Sequence, residues 1–195
     1  MRRAKKRNHL ETLEYTDINA PVVARCKEGD RKAQYELYKL YSKSMFNVSM
    51  RITNDYTEAE DVLQESFLNA FRELHTFKGD STFGSWLKRI VINKSITKVR
   101  SRRLQVVPLN EQLEIAEEPT DQDQQDLNYK VEAIKRAIQL LPDGYRVVLT
   151  LYLLEGYDHG EIADILSISE ATSKSQYSRA RKKLLALMEE QALAN

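Results

Sequence analysis

The residues best suited to chemistry lie in "FKGDSTFGSWLKRIVINKSITKVRSRR", residues 77–103. Between Trp86 and Arg103 it holds seven bases (Lys88, Arg89, Lys94, Lys98, Arg100, Arg102 and Arg103) and no acid. The chain carries 30 basic and 29 acidic side chains, so this concentration is local. Read as a helix from about Phe83 or Ser85 to Arg103, the run sets Lys94, Lys98 and Arg102 on one side and Arg89, Asn93 and Arg100 on nearly the opposite one. Bases on two sides of a helix can track a nucleic-acid backbone, because each neutralised phosphate releases counterions. Phe77, Ile90 and Asn93 near the 78–81 turn would offer an unstacked base an apolar wall and a hydrogen-bonding edge. Phe77, Phe83 and Trp86 suit a core more than a base platform.

An acidic counterpart precedes this run. Residues 55–71 hold five acids and no base. The spacing predicts a helix from Thr57, capped by Thr57 and Glu60, with Leu63, Phe67, Ala70, Phe71 and Leu74 facing inward. Asp61, Glu65 and Asn69, with Gln64 at their margin, share the other face. That face is either solvated or a docking surface for a basic partner.

Residues 141–188 read as three helices. Asp143 is expected to cap the first, whose apolar positions are Val147, Val148, Leu151 and Leu154 before a stop at Gly156. Asp158 and Glu161 form a capping box for the second, and Ser169 caps the third after the Ser167-Ile168-Ser169 turn. The third helix has core positions Tyr177, Ala180, Leu184, Leu187 and Met188, and presents Lys174, Ser175, Ser178, Arg179 and Lys182 outward. Two helices around a tight turn, the second basic, form the layout of a helix-turn-helix that enters the major groove.

The elements that must position these residues are helical. Six glycines, four prolines and little strict alternation argue for an all-α protein. Charge divides the chain into a basic arm at 1–20, an aromatic-rich helical unit at 21–103, a tether at 104–128 with seven acids and no base, and a second helical unit at 129–195. The architecture expected is thus two small helical domains on a flexible acidic linker. The single Cys26 excludes an intramolecular disulfide, and His9, His75 and His159 are scattered, so no metal site and no cofactor are expected. A basic start without an apolar segment behind it, and no apolar run of about 18 residues, place the chain in the cytoplasm with no membrane insertion.

In this order the motifs resemble the RNA polymerase sigma factors of the extracytoplasmic-function (ECF) class. Residues 59–103 are similar to that family's region 2, and 141–184 to its region 4. The resemblance implies a transcription initiation factor that binds core RNA polymerase through its β′ and β subunits, recognises promoter DNA, and is held by an anti-sigma factor. Asp61, Gln64, Glu65 and Phe67 match the segment that docks on the polymerase β′ coiled coil. Phe77, Ile90 and Asn93 match a pocket for a base flipped from the minus-10 element, with Trp86, Lys88, Arg89, Lys94 and Lys98 around the strand. Thr172, Lys174, Ser175, Ser178, Arg179 and Lys182 fall on the helix that reads the minus-35 element. The acidic tether matches the connector that threads towards the polymerase active site, although a plain soluble spacer has the same composition.

Some residues depart from the family pattern. Glu73 stands where a small residue lines the base pocket, Ser173 replaces an apolar residue of a "TVKS" pattern, and Ser167 replaces a turn glycine. His159, in an unusual Tyr157-Asp158-His159 sequence, is expected at the surface or in the cap region. Two other classes compete with the sigma reading. A stand-alone helix-turn-helix regulator would leave the acidic helix and the 77–103 segment without a task. An enzyme on nucleic acid would need a phosphate loop, a metal motif or a nucleophile-base pair, and the sequence offers none.

Overall fold

A computed structural model describes the backbone of residues 17–105 and 122–193, with side chains for 17–102 and 131–190. The chain order is α1 (Ala20–Lys27), α2 (Arg31–Thr53), α3 (Tyr56–Arg72), a 3-10 turn (Leu74–Thr76), α4 (Phe83–Gln105), α5 (Gln122–Gln139), α6 (Asp143–Leu149), a π-type turn (Thr150–Leu154), α7 (His159–Leu166) and α8 (Glu170–Leu193). Among the described residues there is no strand, as an all-α chain requires. The N-terminal arm to residue 16, and residues 106–121 of the expected tether, lie outside the described residues. Helix α5 begins at Gln122, inside the stretch that composition assigns to the tether.

The first unit is a bundle in which α2, α3 and α4 pack on one another behind α1. Helix α3 begins at Tyr56, after Asp55, which accepts from the Glu58 amide, and not at Thr57. Asp55 serves as N-cap here and the helix starts earlier. Leu63, Phe67, Ala70 and Leu74 are buried, as the apolar spacing requires. In α4, Leu87, Val91 and Ile92 are buried and Ile90 half-buried, so the first half of this basic helix is packed. Its start is tied to α2 by a close approach: a Cβ on Gly84 would lie 2.8 Å from Tyr41 Cε1. The Tyr41 ring also meets Phe83 edge-on, and its hydroxyl accepts from Asn19. Asp17, in the expected arm, accepts from the Phe83 amide and so fastens that segment to α4.

The second unit differs from the sequence expectation at α6. Pro142 precedes the helix, and Asp143 makes no cap hydrogen bond; it pairs instead with Arg146 at 2.5 Å and with Arg102 at 3.2 Å. The π-type turn at Thr150–Leu154 inserts extra arc into the helix and re-phases its end. Leu154, expected inside, is therefore 49% exposed. Gly156, at φ +78°, ends the helix as predicted.

The two units touch. Val147, Val148, Leu151 and Ile162 belong to the same buried cluster as Met45, Val48 and Ile52 of α2.

Candidate nucleic-acid interface

The acidic and basic helices form a ladder. Across the α3/α4 seam, Glu65 meets Lys94 at 3.1 Å, Asp61 meets Lys98 at 3.1 Å, and Glu58 meets Arg102 at 3.3 Å. The carboxylates of Asp61 and Glu65 remain more than half exposed, and both lysines are partly exposed. Bonding to Asp61 raises the Lys98 ammonium above its ordinary value. Burial pushes the Glu58 carboxyl up, against the lowering influence of Arg102. Gln64 is exposed beside this face. Phe67, expected in the same docking group, is 3% exposed and stacks edge-on against Tyr38. Phe67 thus points inward, at the heptad-like spacing that made it a core candidate, and supports the face without joining it.

Other bases of α4 are engaged elsewhere. Lys88 pairs with Glu155 at 3.3 Å, Arg100 donates to the Leu166 carbonyl at 2.6 Å, and Arg102 also reaches Asp143. Arg89 is exposed. The turn before α4 depends on Gly79 at φ +83°. A small cavity of about 230 Å³ opens there, lined by Thr76, Phe77, Lys78, Gly79, Asp80, Ser81 and Trp86. Phe77 is largely covered by Phe83 and Trp86, with ring centroids 6.0 and 5.3 Å away, and Lys27 donates to its carbonyl. Ile90 and Asn93 do not line this cavity. At helical spacing they continue the stripe that starts at Trp86, with Asn93 exposed about 10 Å further along α4. The expected ring of residues is therefore a stripe running up from the cavity. Glu73 is turned to Arg72, at 3.3 Å, and is not among the cavity's lining.

The helix-turn-helix is built as its caps foretell. Asp158 accepts from the Glu161 amide and Glu161 from the Asp158 amide, completing the capping box. Ser167 takes the left-handed conformation at φ +51° that a turn glycine would hold. Ser169 accepts from the Thr172 amide at 3.0 Å, and the two hydroxyls lie 2.7 Å apart, so Thr172 is spent on the cap. Lys174, Ser175, Ser178, Arg179 and Lys182 are exposed along α8, with Lys174 held by Glu170 at 2.7 Å. Ser173 is fully buried, and its hydroxyl lies 3.0 Å from His159 Nδ1. His159 in turn stacks on Tyr152 at 4.5 Å, and Tyr177 closes the group. The two unusual residues thus satisfy one another, and His159, half-buried as the first residue of α7, lies in the cap region as expected.

Sequence reasoning missed Arg51 and Glu155. Arg51 of α2 donates to Glu155 at 2.5 Å across 104 positions of chain, and the Glu155 carboxylate, also held by Lys88, is 3% exposed. No local pattern announces such a pair. Among the described residues no group of His, Cys, Asp and Glu is placed to hold a metal ion, and no helix is long and apolar enough to cross a membrane.

Comparison with known proteins bears directly on both units. A family model described as Sigma-70 region 2 matches residues 37–105, and one described as Sigma-70, region 4 matches 131–184. The RNA polymerase sigma-H factor of Pseudomonas aeruginosa is 33% identical over 174 residues, covering 83% of this chain and 89% of that protein. The ECF RNA polymerase sigma factor SigM of Bacillus subtilis is 31% identical over 153 residues, covering 78% and 93%. The fold is shared with the sigma factor RpoE of Bartonella quintana, solved with the anti-sigma factor NepR, at 22% identity and a TM-score of 0.57 over 80% of this chain and 96% of that one.

Proposed function

Because this chain belongs to the sigma-70 family of RNA polymerase sigma factors, in its extracytoplasmic-function class, we infer that it is a transcription initiation factor that directs core RNA polymerase to promoters. The observation that carries this reading is the presence of both family regions, 37–105 and 131–184, in order on one chain. The first region bears the acidic and basic helices and the second the helix-turn-helix.

The residues divide the work. Asp61, Gln64 and Glu65 offer exposed acceptors to a basic surface on the polymerase β′ subunit, with Phe67 fixing their helix from inside. The second unit meets the β subunit and places Lys174, Ser175, Ser178, Arg179 and Lys182 in the major groove of the minus-35 element, with Thr172 setting the start of α8. Lys88, Arg89, Lys94 and Lys98 hold the melted strand, while Phe77, Trp86, Ile90 and Asn93 line the path of an unstacked minus-10 base. Capture of that base offsets an unstacking cost of a few kcal/mol. The chain contributes recognition and melting in the cytoplasm, and the chemistry of RNA synthesis belongs to the polymerase. An anti-sigma factor is the regulator this class of partner implies, and a relative of the same fold was solved with one.

Sedimentation of the purified chain with core RNA polymerase tests the reading. The chain is expected to travel with the core enzyme and to shift promoter DNA only in its presence. A chain that stays free of core, and binds duplex DNA tightly alone, would overturn it.

A further inference from the structure

Arg51 of α2 and Lys88 of α4 come from different helices and converge on a single carboxylate. Arg51 reaches Glu155 Oε1 at 2.5 Å and Lys88 reaches Oε2 at 3.3 Å, one cation on each oxygen. They border a groove of about 790 Å³ whose other lining includes Asn47 and Ser85, both able to donate hydrogen bonds, and Asp17, whose carboxylate already accepts from the Asn19 and Phe83 amides. Arg51 Nε is buried with no partner, so the Glu155 carboxylate leaves the guanidinium incompletely satisfied. Two adjacent cations repel one another, and such a pair persists where an anion bridges it.

The bridging anion belongs to the other unit of the protein. Glu155 ends the re-phased turn after α6, and reaches the groove only while Val147, Val148 and Leu151 rest against α2. That arrangement cannot survive on a promoter. Elements centred near minus-10 and minus-35 lie about 25 base pairs apart, or some 85 Å at about 3.4 Å per pair. Here Arg100 of α4 touches Leu166 at the end of α7. The units must part for both to reach their elements, and Glu155 then leaves Arg51 and Lys88 behind.

We propose that Arg51 and Lys88 form a binding site for a phosphodiester of single-stranded DNA, and that the Glu155 carboxylate occupies it in the closed chain. The inference rests on the sigma-factor reading for its ligand. Two oxygens sharing one negative charge are common to the carboxylate and the phosphodiester, and a guanidinium fits either as a paired donor. Lys88 lies on the helix that carries the remaining strand-holding bases, so the site extends their track onto α2.

The test uses the full chain without polymerase, so failure of core binding leaves its outcome untouched. Binding of an oligo-dT 20-mer is followed by fluorescence anisotropy over a series of salt concentrations. Glu155→Gln, which keeps the shape and removes the charge, is expected to tighten binding about tenfold, the worth of a charge-assisted contact. The slope of log affinity against log salt should steepen by about 0.7 for each added phosphate. Adding Arg51→Gln to Glu155→Gln should abolish the gain, whereas adding Arg51→Lys should keep it, which separates lost charge from lost folding. Unchanged affinity and slope in Glu155→Gln would overturn the proposal. So would a gain that persists with Arg51→Gln, or one that is equal on an uncharged methylphosphonate 20-mer. Stabilisation of Glu155→Gln by inorganic phosphate as large as that by oligo-dT would replace the strand by a free anion and equally overturn it.

Discussion

Lys98 of α4 donates to the Asp61 carboxylate of α3 at 3.1 Å, joining a base expected on DNA to an acid expected on the polymerase. Both ends are substantially exposed, at 37% and 52% of the side chain. Such pairs contribute little to folding, about 0.2–1 kcal/mol. A double-mutant cycle with Asp61→Asn and Lys98→Gln, read by urea unfolding, should give a coupling in that range. The raised Lys98 value means that this stabilisation is present below the ordinary lysine value of 10.5 and is lost as pH rises through the raised one. Asp61→Asn should nevertheless weaken core binding far more than it weakens the fold. Equal losses of both would make the pair structural.

Asn93 and Lys98 should separate base reading from strand holding. Asn93→Ala is expected to change the ranking of minus-10 variants in a promoter library. Lys98→Ala should weaken all variants alike and lower the salt slope by about one unit or less. Equal losses on every variant for both substitutions would remove the base-reading role and leave only a basic track.

Gly84 sets the entry of α4. Alanine there would gain up to about 1 kcal/mol of helix propensity. It would also put a methyl 2.8 Å from a Tyr41 ring that is fixed by Phe83 and by Asn19. Overpacking of this kind costs about 1–3 kcal/mol, so the clash should win and Gly84→Ala should destabilise the chain in denaturant unfolding. Paired with Tyr41→Leu, the same alanine should cost much less.

Glu58 gives a pH signature. Its carboxyl is raised above 4.5, chiefly by burial, so the folded chain holds that proton more tightly than the unfolded one. The stability linked to it is present below 4.5 and is lost as pH rises through the raised value. Glu58→Gln, which can still accept from Arg102, should therefore melt higher than the parent at neutral pH and converge with it in acid. A neutral-pH loss would show that the Arg102 pair outweighs the burial.

Much of this was legible in the sequence, and the misses have physical causes. The Asp158–Glu161 box, the Ser169 cap and the inward face of α3 follow from short-range rules, and the structure contains them. Asp55 displaced Thr57 as a cap because two plausible caps stood within a few residues and only folding chooses between them. Leu154 fell outside because a π-type turn breaks the 3.6-residue period on which its placement relied. Asp143 was drawn from capping to Arg102 and Arg146, and the Arg51–Glu155 pair spans 104 positions. Contacts of that kind arise from how helices meet, which no local pattern encodes. The basic helix lies where its residues place it, but that three of its bases face the acids of α3 depends on how the two helices meet.

Transcription in vitro tests the assignment most directly. Core RNA polymerase, sheared genomic DNA from the same cell and the purified chain are combined, and the 5′ ends of the transcripts are sequenced with and without the chain. We expect a set of start sites that appears only when the chain is present and shares two upstream elements. Start sites identical in its presence and absence would contradict the assignment as a promoter-directing sigma factor.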